Sequence, residues 1–199
     1  MFEKLTLNDP VFNVPGTHLN PPCKGGLGNS IDNEVRSIQA PSLTGRGKGE
    51  GPKGESPKGK GPGRSVRLLI IHCSATLPDQ RVSVQDIDRW HRQRGFDCIG
   101  YHFYITVDGT IWTGRPMSQI GAHCKGYNAH SIGICYEGGL DEEGRPCDTR
   151  TLLQKAALVA IINKLREIYP AADVVGHCDL DLSKACPCFS AVEEYSSEE

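Results

Sequence analysis

Apolar and polar residues are distributed unevenly along the chain: the first third is polar and broken, while the rest carries clear periods. Val66 to Cys73 is an apolar run with β-branched members, the pattern of a central strand buried on both faces. Ser83-Val84-Gln85-Asp86 reads as a capping box that opens a helix. Val84, Ile87, Trp90 and His91 follow at helical spacing, and Gly95 closes that helix. Tyr101 to Val107 predicts a strand, Asp108-Gly109 a hairpin turn, and Thr110 to Thr113 the return strand. Ser131 to Tyr136 predicts a further buried strand. From Thr151 to Tyr169 the pattern is that of a long helix with Leu152, Leu153, Ala156, Val159, Ala160, Leu165 and Ile168 facing inward, and Pro170 stops it. Asp173 to Gly176 is the last strand. The order β-α-β-β-β-α-β predicts an α/β fold: a single mixed β-sheet with helices packed on it.

Residues 1–65 have a different character. Prolines at 10, 15, 21, 22 and 41 interrupt any period, and residues 46–64 are Gly/Pro/Lys low complexity without the strict glycine repeat of collagen. Such a segment buries too little apolar area to offset its ordering entropy, so a disordered tail and linker is expected, with the folded domain spanning 66–195. Composition follows from this division: of 199 residues 38% are apolar, and the 23 Gly and 13 Pro are concentrated in the tail. Residues 1–65 hold nine Lys/Arg against six Asp/Glu, whereas residues 66–199 hold thirteen against eighteen. The folded part therefore lacks the basic surface that nucleic acid requires. Met1 to Thr6 has no signal-peptide core, and no apolar run of about 18 residues would span a membrane. Nine scattered cysteines do not form a small disulfide framework, which points to synthesis in a reducing cytoplasm with mostly free thiols.

The chemistry concentrates near the end. Val174-Val175-Gly176-His177 and Leu68-Leu69-Ile70-Ile71-His72 are both short apolar runs that end on a histidine. Lys184 and Cys186 follow His177 on a polar loop. Two imidazoles and a thiolate match a zinc site that leaves its fourth position to water, the catalytic arrangement. Taken singly, each histidine has a plainer reading as a satisfied side chain at a strand end.

Seven short motifs add to this. His72-Cys73-Ser74-Ala75-Thr76, Gly100-Tyr101-His102-Phe103, Gly109-Thr110, Gly121-Ala122-His123, Lys125-Gly126-Tyr127-Asn128, Ser131-Ile132-Gly133-Ile134 and Lys184-Ala185-Cys186-Pro187 occur in this order. Over about residues 66–190 the chain resembles the zinc-dependent N-acetylmuramoyl-L-alanine amidases of the bacteriophage-lysozyme type, which share a fold with peptidoglycan recognition proteins. The resemblance implies Zn2+ held by His72, His177 and Cys186, with Tyr101 and Lys184 assisting at the metal. It implies a substrate groove contacted by His123, Lys125 and Asn128. The reaction implied is hydrolysis of the amide between N-acetylmuramic acid and L-alanine in peptidoglycan, by a monomeric phage or prophage endolysin acting on the bacterial wall without nucleic-acid or membrane partners.

Other residues receive structural readings. His91 is expected on the helix surface and His130 in a loop. His102, next to Tyr101 on a strand, is expected to point to the opposite sheet face, away from the zinc. Cys73 packs by the same logic, and Cys188 is an idle thiol unless it replaces a ligand or pairs with Cys178. Since the chain ends soon after Phe189, the final helix of the family is expected to be short or frayed. Alternatives of the same fold are a non-catalytic peptidoglycan-binding module and a regulator of a phage polymerase. A cysteine hydrolase built on Cys124 or Cys73 is a further one.

Overall fold

The apolar run at Val66 becomes the strand on which the others assemble. The computed structural model describes residues 2–5 and 64–196. In chain order its elements are β1 (Lys4–Leu5), β2 (Leu68–Cys73), α1 (Val84–Gln93), β3 (Phe103–Ile105), β4 (Ile111–Thr113), a 3-10 turn (Asn128–His130), β5 (Ser131–Tyr136), α2 (Leu152–Ile168), β6 (Asp173–Gly176), α3 (His177–Leu180) and α4 (Ala191–Tyr195). The strands form one sheet in the order β1-β4-β3-β5-β2-β6. β2 is parallel to both β5 and β6, β3 is parallel to β5, and the β3–β4 and β1–β4 pairs are antiparallel. The expected mixed α/β sheet is what the chain forms. No helix of the described residues is long and apolar enough to cross a membrane.

Side-chain alternation divides the core into two layers. Leu69, Ile71, Ile105, Ile132, Ile134 and Tyr136 pack under α2 against Ala157, Leu158, Ile161 and Leu165. Tyr104 and Cys135 pack on the other face with Val82, Val84, Ile87 and Ile99 around α1. Both long helices begin with reciprocal caps, Ser83 with Asp86 and Thr151 with Gln154, as the first of these sequences predicts. α2 is rotated from its expected face: Leu152, Leu153 and Ile168 are exposed, whereas Ala157, Leu158, Ile161 and Ile162 are buried. Apolar residues lie on most sides of this helix, so its sequence alone does not select which side meets the sheet.

Two further differences concern the ends. Lys4–Leu5 pairs with Ile111 and Trp112, a strand too short to carry a period, and Thr113 N–H donates to Glu3 O at 2.9 Å. Apart from residues 2–5, Arg64 and Ser65, the expected tail lies outside the described residues. α4 is short but not frayed, because Ala191 and Tyr195 are buried. The Arg150 side chain, wholly enclosed, pairs with Asp148 at 2.8 Å and Glu194 at 2.7 Å, and stands 3.2 Å above the Phe189 ring centre. It also donates to Tyr195 Oη at 3.1 Å. Removing one partner of an enclosed charge is costly because the charge stays behind. Glu194→Ala is therefore expected to cost about 1–3 kcal/mol and to lower Tm by about 5–10 °C in a thermal melt, with the neighbouring exposed Glu193→Ala nearly silent.

Candidate metal centre

Strand register brings the two histidines together. Ile71 pairs with Gly176 in the parallel β2–β6 ladder, so the next residues, His72 near the end of β2 and His177 at the start of α3, lie side by side with ring centres 4.7 Å apart. The polar loop after α3 returns to this point. Cys178 N–H donates to Cys186 O at 2.7 Å, and Cys73 N–H donates to Cys186 Sγ at 3.2 Å. Cys186 Sγ lies 3.7 Å from His72 Nδ1. One donor atom from each of His72, His177 and Cys186 falls within 4.8 Å of the others. Ordinary zinc–nitrogen and zinc–sulfur bonds at a tetrahedral angle separate two ligands by about 3.5 Å, so the donor set fits this ion.

The electrostatics suit ligation. Burial, with smaller effects from His123, His177 and His91, holds His72 well below the ordinary imidazole range. His177 is lowered too, by burial first and then by the Lys184 charge, with Asp181 opposing. Both rings are thus neutral at physiological pH, the form that binds a metal.

Tyr101 lies against His72, with ring centres 5.1 Å apart, and against His91 at 5.2 Å. Burial, reinforced by the cysteines around it, raises its phenol well above the usual value, so it keeps its proton. Lys184 is exposed on the loop two residues before Cys186. His123 Nδ1 is 3.0 Å from His72 Nε2, and Lys125 is exposed on the following turn. Asn128 Oδ1 accepts the backbone N–H groups of His123 and Cys124, both at 2.9 Å.

Several structural readings need correction. His91 is not a surface residue: it is buried, and its Nδ1 accepts Gly100 N–H at 2.8 Å, which seats it behind Tyr101. His102 is buried, as packing requires, yet it does not point away from the site, since its ring stands 5.7 Å from that of His123. The alternation rule fails here because the β3 ladder begins only at Phe103. Cys73 does pack into the core, and Cys188 Sγ rests 3.8 Å from Cys73 Sγ as a free thiol rather than pairing with Cys178. A cysteine hydrolase has no support: the Cys73 thiol is pushed up to about 12, chiefly by the adjacent Cys186 sulfur, and burial raises Cys124. An activated thiol requires the opposite shift.

A mixed α/β sheet that gathers two imidazoles and a thiol where parallel strands end belongs to a recognisable class of fold and site. Residues 62–189 match the model of the N-acetylmuramoyl-L-alanine amidase family, and the chain belongs to that family. It is similar to the endolysin of Enterobacteria phage K11, 43% identical over 119 residues that cover 60% of this chain and 78% of the relative. It is also similar to the endolysin of Escherichia phage T7, 40% identical over 125 residues, 63% and 82% of the two chains. Among solved structures, the amidase LysC from Clostridium intestinale URNW superposes with a TM-score of 0.57 at 34% identity, covering 66% of this chain and 82% of that one.

Acid stability follows from the buried histidines. Burial is the largest cause that takes His91 and His102 each to about 4, while the unfolded chain protonates near the ordinary 6.5. Below pH 6.5 the unfolded state therefore binds protons that the native state refuses, and stability falls until about pH 4. The two groups together contribute at most about 3 kcal/mol per pH unit. Urea midpoints measured from pH 7 to 4.5 are expected to drop steeply, and less steeply in His91→Gln.

Proposed function

We propose that this peptidoglycan amidase cleaves the bond between N-acetylmuramic acid and L-alanine with a zinc ion held by His72, His177 and Cys186. The carrying observation is the convergence of these three donors, from distant parts of the chain, at ligand spacing. When bound, zinc supplies Lewis acidity toward the scissile carbonyl and lowers the pKa of water from about 15.7 to near 7.

The protein's own groups supply the rest. Tyr101, protonated and packed against His72, orients the attacking water or passes its proton to the departing nitrogen. Lys184 carries positive charge toward the oxyanion that forms at the carbonyl, a contribution of about 3–4 kcal/mol for a well-placed donor. Lys125, exposed beside the site, is available to the glycan or stem peptide. His123 Nδ1 meets His72 Nε2, and Asn128 Oδ1 accepts the backbone N–H groups of His123 and Cys124. On this reading the protein acts as a monomer on the bacterial wall, as an endolysin does.

Mass spectrometry of digested peptidoglycan tests the bond cleaved. Released stem peptides with a free L-alanine amino group and intact glycan are expected; new reducing ends would overturn the reading. Cys186→Ser is expected to lose zinc, measured by elemental analysis, along with at least about 100-fold in turnover. Lys184→Ala keeps the metal and loses about 100–1000-fold in kcat.

A further inference from the structure

His72 has two ring nitrogens, and both are accounted for. Nδ1 faces Cys186 Sγ at 3.7 Å, and Nε2 lies 3.0 Å from His123 Nδ1. An imidazole that ligates through Nδ1 carries its proton on Nε2, so His72 is the donor in this contact and His123 the acceptor. The His123 proton then sits on its own Nε2, 3.3 Å from Ser131 Oγ, and the Ser131 hydroxyl donates to Tyr127 O at 2.9 Å. Every donor in the series has an acceptor, and the series runs in one direction.

The seat of His123 is built to hold one ring orientation. A Cβ on Gly133 would stand 2.6 Å from His123 Cδ2, and one on Gly121 would stand 2.5 Å from the same atom, distances no side chain tolerates. His102 closes the pocket edge-on, and its own Nδ1 accepts Gly133 N–H at 3.0 Å. Asn128 ties down the backbone that carries the ring. A histidine kept for substrate would leave a ring nitrogen for it, whereas both nitrogens here are used inside the protein.

We propose that His123 is a positioning residue for the metal centre, accepting the Nε2 proton of His72 so that Nδ1 is presented to the ion in a fixed tautomer and ring angle. The proposal rests on the zinc reading above. Groups that orient a ligating histidine in this way are worth about 10–100-fold in metal affinity.

The test is competition of Zn2+ against a chromophoric chelator in metal-stripped full-length protein, alongside steady-state kinetics on peptidoglycan. His123→Asn places an amide oxygen near the Nδ1 position and is expected to hold zinc within about 3-fold of the parent. His123→Gln places its amide further out and is expected to bind about 10–100-fold more weakly, with altered visible bands in the Co2+-loaded form. Should the Gln variant not fold, Ser131→Ala carries the test: zinc affinity several-fold weaker at unchanged KM is expected, and unchanged affinity overturns the proposal. Zinc binding at parental strength in His123→Gln, with the loss confined to KM, would assign the ring to substrate. Equal losses in the Asn and Gln variants would reduce it to packing. A parent chain that takes up no zinc, and is indifferent to His72→Ala, fails the zinc reading itself.

Discussion

The parallel pairing of β2 with β6 is the constraint on which the site depends. It puts Ile71 beside Gly176, and the two histidines that follow are delivered together at the carboxyl ends of the paired strands. A slip of one residue would carry His72 to the face covered by α2, where Cys73 packs, and the donors would part. The pairing is secured from below by side chains with no chemistry of their own. Leu69, Ile70 and Ile71 are fully buried, as a parallel strand covered on both faces must be.

The third donor is held by a different part of the molecule. The Cys186 loop leads into Pro187, whose carbonyl accepts the Tyr136 hydroxyl at 2.6 Å, and into Phe189, which lies under the Arg150 guanidinium. Arg150 is anchored in turn by Asp148 and by Glu194 of α4. The short terminal helix thus has a purpose beyond closing the core: its carboxylate fixes the cation that fixes the loop carrying the thiol. Stability and site are joined at this cluster, although it lies on the opposite sheet face from α1.

Burial does the electrostatic work. It keeps the imidazoles of His72 and His123 neutral and the Tyr101 phenol protonated, so the groups around the candidate ion are donors and acceptors rather than charges. With no carboxylate among the three candidate ligands, the thiolate of Cys186 would be the negative charge that meets a cation bound there. The exposed Lys184 is the contrasting element, a solvated charge at the rim.

Much of this was legible in the chain. Apolar runs ending in histidine, a cysteine after a polar loop and the capping sequence at Ser83 are local signals, and they pointed to the order of the main elements, the sheet class and the three candidate donors. Local patterns could not determine which side of α2 is buried, since apolar residues surround it, nor that a two-residue strand near the amino terminus would complete the sheet edge. They could not reveal the partners of His91, His102 and His123 either. Each of those depends on which nitrogen meets which partner, and the partners are Gly100, Gly133 and His72, set by how strands and loops pack. Residue types are written in sequence, but a hydrogen bond between imidazoles 51 positions apart exists only once the fold has closed.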